Sequence, residues 1–303
     1  MSRIYQKKPD GSFRLLDGLW PDCTVLAPAD SETMKTVFYV SPDGNDENDG
    51  QSVNTPFEHI GRALDTAQRS LGKLEIRLAQ QSSGNLDTLY RLTDPVMREF
   101  LASDLMDHAM KSWDFATDSA ASRNVGICPP TGETRAYIDF TCQFHRISFV
   151  GSDYGENGEP LGDNSGRNAA WTVRRNCAFI NCSMVSPIIH ACSLSFRGNF
   201  YCTSDSLNIA TAALTLDNMG NAWFYRDETG AGAVGIHPRN VRSGIFLRQA
   251  SILDLNSANI AASGNGSAAK KIIAYGKSLA TLGANINALP GTGAEIDATS
   301  ILV

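Results

Sequence analysis

The 303-residue chain has no apolar run near the roughly 20 residues that cross a bilayer, and its start, MSRIYQKKPDGSFRLLDG, holds no hydrophobic stretch of secretory type. These absences predict a soluble protein that makes no membrane contact and is not exported by that route. Basic charge is in deficit: 26 basic against 32 acidic side chains give a net charge of −6 and a pI near 5.4. Binding of nucleic acid through counterion release is therefore not expected. Charged residues are only 19% and apolar ones 42%, too little charge and too much apolar surface for a disordered chain. Cysteine is moderate and odd in number, at positions 23, 128, 142, 177, 182, 192 and 202. In a reducing compartment most are thiols, and at least one is free or paired with another chain.

The charge is unevenly placed. Residues 1–140 hold 14 basic and 21 acidic side chains, residues 141–303 hold 12 and 11, and beyond Leu255 only Lys270, Lys271, Lys277, Glu295 and Asp297 are charged. Residues 1–35 carry turn signals (Pro9-Asp10-Gly11, Asp17-Gly18, Trp20-Pro21) without periodicity and read as an extended arm. In 36–80, Thr36 to Val40 reads as a strand and Ser41 to Gly50 as an acidic turn-rich loop. Thr55, Pro56 and Glu58 then form a capping box, and Ile60, Ala63, Leu64, Ala67 and Leu71 form the apolar stripe of a helix that ends near Gly72. Leu74, Ile76 and Leu78 alternate as a strand. Residues 81–140 look like an insertion, with a second helix started by Asp94-Pro95 and striped by Met97, Phe100, Leu101, Leu105 and Ala109.

From 141 to 303, short strand-like runs recur between Asn, Gly, Ser and Asp, among them Arg146 to Val150, Trp171 to Arg175, Leu214 to Leu216 and Ile252 to Leu255. Ser251 and Leu255 recur as Ser278 and Leu282 at a spacing of 27, and Asn259 recurs as Asn285 at 26. A period of that size is one rung of a β-solenoid, in which inward residues at equivalent positions stack in columns and Asn and Gly occupy the corners. The helix stripe suits the open end of such a coil, which otherwise exposes apolar side chains and unpaired backbone.

The stretch VFYVSPDGNDENDGQSVNTPFEHIGRAL, Val37 to Leu64, resembles the opening segment of pectin-lyase-like right-handed parallel β-helix proteins, where a strand, an Asp/Asn/Gly-rich loop, a Thr-Pro-Phe and an amphipathic helix cap the N-terminal end. The resemblance covers about 30 residues and implies an all-β solenoid, a right-handed single-stranded parallel β-helix with a capping helix, a partly helical insertion and an N-terminal arm. A short arm before that segment is most similar to bacteriophage tail spikes and related virion appendages. That implies a structural virion protein, a homotrimeric tail-spike or neck/collar-type appendage assembled in the host cytoplasm. Residues 1–35 would dock on other virion proteins, and the coil would touch host polysaccharide. A polysaccharide lyase or glycoside hydrolase of the same fold is the alternative.

The individual motifs have plainer readings beside the functional ones. Gly230, Gly232 and Gly235 match G-x-G-x-x-G, but Pro238 follows where a dinucleotide site needs a helix to begin. Asn45, Glu47, Asp49 and Gly50 start like a calcium loop, yet its twelfth position is Pro56, which favours a solvated turn. Cys177, Cys182, His190, Cys192 and Cys202 match no zinc spacing and suit burial in the coil, so neither metal nor cofactor is expected. Cys23, beside Trp20 and Pro21 in the arm, is the candidate for an interchain disulfide. A glycosidase needs two carboxyls roughly 5 to 9.5 Å apart. Asp227 and Asp254, 27 residues apart, would stack if rungs are of that length, though both also suit corner positions in water. Trp223 and Tyr225 are candidates to stack on sugar rings. Serine nucleophile elbows and Cys/His protease signatures are absent from the sequence.

Overall fold

The computed structural model describes residues 5–7, 13–15, 35–67, 73–80, 88–98, 108–133, 135–151, 170–184, 188–190, 192–197, 200–204, 212–225, 233–238, 241–255, 259–261, 268–282 and 287–303. Three sheets hold nearly all of these. Sheet 1 contains Lys35–Val40, Lys73–Ala79, Ala109–Asp114, Cys142–His145, Cys177–Ile180, Ser193–Arg197, Asn221–Tyr225, Ile252–Asp254, Leu279–Thr281 and Ile301–Leu302. Sheet 2 contains Leu89–Arg91, Val125–Cys128, Ile147–Phe149, Ser183–Met184, Phe200–Ser204, Ala233–Pro238 and Asn259–Ala261. Sheet 3 contains Val96–Arg98, Arg135–Asp139, Ala170–Val173, Ile188–His190, Ala212–Leu216, Val241–Leu247, Ala268–Ala274 and Ala294–Ile296. Within each sheet these strands follow one another in chain order, and every pair of neighbours is parallel.

From Lys73 to Thr281 the chain visits sheets 1, 2 and 3 in rotation, interrupted only by Ser119–Ala120, which folds back antiparallel on Ala109–Asp114. Parallel neighbours need a long connection between them, and here two strands of the other sheets supply it. The result is an all-β, mostly parallel architecture with one short helix, consistent with a parallel β-solenoid.

Alternation along each strand puts every second side chain inward, and the parallel register lines those side chains up in files. In sheet 1 the file runs Phe38, Ile76, Met110, Phe144, Phe179, Phe196 and Phe224, all buried. The rings of Phe144, Phe179, Phe196 and Phe224 stack with centroids 5.4, 5.4 and 4.4 Å apart. In sheet 2 the file is Tyr90, Ile127, Phe149, Met184, Cys202 and Ile236. All belong to one apolar cluster.

The helix Ile60–Ala67 buries Ile60, Ala63, Leu64 and Ala67 in that cluster and packs on Lys35–Val40 and Val96–Arg98, the outermost strands of sheets 1 and 3. It therefore sits at the N-terminal end of the stack, where the stripe in the sequence suggested a cap. Its start differs from the expected capping box. Thr55 Oγ1 donates to Asp49 Oδ1, and the amides of Glu58 and His59 both donate to Asp46 Oδ1 at 3.0 Å. The reason is Phe57, which bridges to Val40 as extended backbone and is 1% exposed, so the helix cannot begin until the chain has passed it. Gly50 makes room for that ring: its φ is +66°, and a Cβ there would lie 2.2 Å from the Phe57 side chain.

Residues 81–140 depart further from the sequence reading. Met97 and Ala109, placed on a helical stripe, lie in strands of sheets 3 and 1, and the described strands of this segment join all three sheets. Phe100, Leu101 and Leu105 lie outside the described residues, as do Leu71 and Gly72. The 27-residue rung holds from Ile252 to Leu279, but the step from Cys177 to Leu194 is 17 residues and that from Val37 to Glu75 is 38. Loops of unequal length leave the sheets, which is why the repeat is faint in the sequence. Of the arm, Tyr5–Lys7 pairs antiparallel with Phe13–Leu15.

Candidate functional site

The face of sheet 1 opposite the phenylalanine file carries a different chemistry. Parallel register sets Tyr39, Arg77, Lys111, His145, Ile180, Arg197 and Tyr225 level with one another. Beside it run Glu75, Ala109, Gln143, Ala178, Ser195, Trp223, Asp254 and Thr281. In a chain of net charge −6, the first file places three cations and an imidazole on one strip.

Its anchor is Glu75. The carboxylate is 3% exposed and faces three cations: Lys35 at 2.6 Å, Arg77 at 2.8 Å and Lys111 at 3.0 Å. Burial opposes its charge, but the hydrogen bonds from Lys35, Arg77 and Lys111 prevail and hold its pKa down at about 2. One negative charge thus faces three positive ones, and the strip keeps a positive excess. Arg77 is fixed further by Tyr39, whose hydroxyl accepts from it at 2.7 Å, and by the Trp113 ring, 3.7 Å below its guanidinium. Trp113 in turn donates from Nε1 to Asp118 Oδ1 at 2.9 Å, across the hairpin that Ser119–Ala120 closes.

Next to this network is a pocket of about 150 Å³, lined by Lys111, Ser112, Trp113, Ala120, His145, Arg146, Ile180 and Asn181. Burial, reinforced by the Lys111 ammonium, pushes His145 down to about 4, so its ring is neutral at pH 7. Arg146 and Asn181 form successive corners after sheet 1, both with φ of 53°, and the Arg146 amide donates to the Ile180 carbonyl at 3.0 Å. Asparagine adopts this left-handed conformation readily, whereas for arginine it costs roughly 1 kcal/mol, the kind of strain that concentrates at binding sites.

Trp223 lies half-buried in the second file, level with Ser195 and Asp254, and Tyr225 occupies the register position beside Arg197. The two glycan candidates therefore share the face that holds the pocket. Asp254 is on the same face, but its neighbours in register are Trp223 and Thr281, a step of 31 on one side and 27 on the other. The stacked pair inferred from a uniform 27-residue rung thus loses its basis; Asp227 itself lies outside the described residues, as does Cys23. The described cysteines are free thiols. Cys177, Cys182 and Cys202 are buried in different sheets, and burial pushes Cys182 and Cys202 up to about 12. Gly235 lies in the strand Ala233–Pro238, not at a helix start.

A larger open depression, about 610 Å³, lies beside the helix and includes Asp46, His59, Arg62, Asp65, Asp94 and Arg98. Its central groups hold the helix in place: besides the two amides, Asp46 takes the His59 ring at 2.8 Å, and its carbonyl accepts from Arg62. It has more acids than arginines and no aromatic ring, so the smaller pocket is the better candidate.

Sequence reasoning missed the Glu75 network and the Trp113, His145 and Arg146 pocket. One signal was present. Arg77, Lys111 and His145 follow one another at intervals of 34, the length of two successive coils. Comparison of the chain with protein-family models, with curated proteins and with solved structures found no match.

Proposed function

We propose that the chain is a right-handed parallel β-helix of the pectin-lyase-like type and serves as a homotrimeric structural appendage of a virion, contacting host glycans along the outer face of sheet 1. The observation that carries this reading is the strip itself. A continuous parallel sheet presents cations, Trp113, Trp223 and a ring-sized pocket in files along the stack, suited to an extended chain molecule. The helix at one end and the faint solenoid repeat in the sequence support the β-helix assignment.

Assembly is supported by a second file on sheet 1. Ile252, Leu279 and Ile301 stand level with one another and are 40%, 37% and 59% exposed. Aliphatic side chains repeated at each coil suit a side-by-side contact with the same file of another copy.

Light scattering of the recombinant chain is expected to give three times the monomer mass of 32.7 kDa, and glycan-array screening to give binding. A stable monomer would overturn the assembly, and silence across the array would overturn the glycan contact. Release of reducing ends or unsaturated uronate from a bound glycan would instead establish the depolymerase.

A further inference from the structure

The pocket beside the Glu75 network has a volume, a charge and a wall composition that together narrow what it can take. An enclosed space of about 150 Å³ holds one six-membered ring. Its polar lining is cationic at Lys111 and Arg146, neutral at His145 and amide at Asn181, with Trp113 as the aromatic surface. The carboxylate within reach of Lys111 is Glu75, already facing Lys35 and Arg77, so the positive charge of the wall is incompletely neutralised. Trp113 is held by Asp118 on its nitrogen and by Arg77 on its ring, which leaves it little rotamer freedom to lose on binding. Arg146, in its left-handed corner, is an expensive choice where glycine or asparagine would serve the turn, and the guanidinium projects where a planar fork can meet an oxyanion.

We infer that this pocket is a subsite for one anionic sugar unit, a pyranose bearing a carboxylate or a sulfate, within a glycan lying along sheet 1. The inference rests on the glycan-contact reading and adds the charge class and the place. Trp113 packs on the ring, Lys111 and Arg146 meet the oxyanion, and His145 and Asn181 bond to hydroxyls. Carboxylate and sulfate share the oxyanion chemistry that the two cations recognise, so the probes separate them.

The test is a ligand-observed NMR titration of the intact chain with trigalacturonate, a sulfated galactan trisaccharide and neutral galactotriose, in wild type, Arg146→Gly and Trp113→Ala. Arg146→Gly removes the charge and suits a φ of 53°, so its melting temperature is expected not to fall. Wild type is expected to bind at least one charged trisaccharide at least tenfold more tightly than galactotriose, and 0.5 M salt is expected to remove most of that preference. Both variants should lose tenfold or more in affinity for the charged ligand. Equal binding of charged and neutral trisaccharides would overturn the anionic subsite and leave the glycan contact standing. Unchanged affinity in a folded Arg146→Gly protein would overturn the pocket's role. Failure of all three trisaccharides to bind, with array binding retained elsewhere, would overturn the inference alone.

Discussion

Phe179 sits at the middle of the stacked core, and its replacement by alanine tests whether the register is right. The side chain is 0% exposed, with its ring centroid 5.4 Å from Phe144, 5.4 Å from Phe196 and 5.7 Å from Phe149. Deleting a buried phenylalanine costs about 3 to 5 kcal/mol, through lost transfer energy and the cavity left behind. Neighbouring rings held by their own coils cannot collapse into the space, so the upper half of that range is expected. Ile180, the next residue, lies on the opposite face and is only partly buried, so Ile180→Ala should cost about 1 kcal/mol or less. Urea unfolding of both variants by circular dichroism gives the comparison, read as midpoints because a stack of coils need not unfold in one step. Equal costs, or a larger cost at 180, would refute the assignment of inward and outward faces.

Glu75→Gln should destabilise the chain at pH 7 by about 3 kcal/mol, since the carboxylate pKa falls from an ordinary 4.5 to about 2. Because that pKa is depressed by folding, the stabilisation is present above about pH 4.5 and is lost as pH falls through about 2; a difference from wild type that does not shrink in that window would contradict the pairing. Asp46→Ala removes the acceptor of two helix amides and should cost about 1 kcal/mol, whereas Thr55→Ala should cost less, by thermal melting of both. At pH 8, mass-mapped alkylation of native protein should modify the partly exposed Cys192 well before Cys182 and Cys202, whose thiols sit near 12.

What the sequence made legible followed from strong local patterns. Leu74, Ile76 and Leu78 alternate because one face of their strand is buried, and Ile60, Ala63, Leu64 and Ala67 repeat at helical spacing because one stripe is. Ser251 and Ser278 revealed a coil because the loops between them happen to preserve the interval. Elsewhere the interval varies, so Asp254 met Trp223 and not the carboxylate expected from uniform spacing. Met97 and Ala109 misled because two short strands with a long connection can imitate a helical stripe. The Glu75 network was invisible because its members, Lys35, Glu75, Arg77 and Lys111, come from three strands whose proximity depends on register. The helix cap failed for a related reason, since Asp46 reaches Glu58 and His59 across a loop.

The parallel stack itself is tested most directly by distances along it. Gln143, Trp223, Asp254 and Thr281 share one file of sheet 1, with Trp223, Asp254 and Thr281 three, four and five strands from Gln143. Nitroxide labels carried on an unnatural keto side chain leave the native thiols untouched and permit pulsed electron spin resonance on the pairs 143/223, 143/254 and 143/281. With about 4.8 Å per strand, backbone separations near 14, 19 and 24 Å are predicted, rising by one strand spacing at each step. Distances that do not increase in that order, or that jump by more than twice the strand spacing between successive pairs, would contradict the coil.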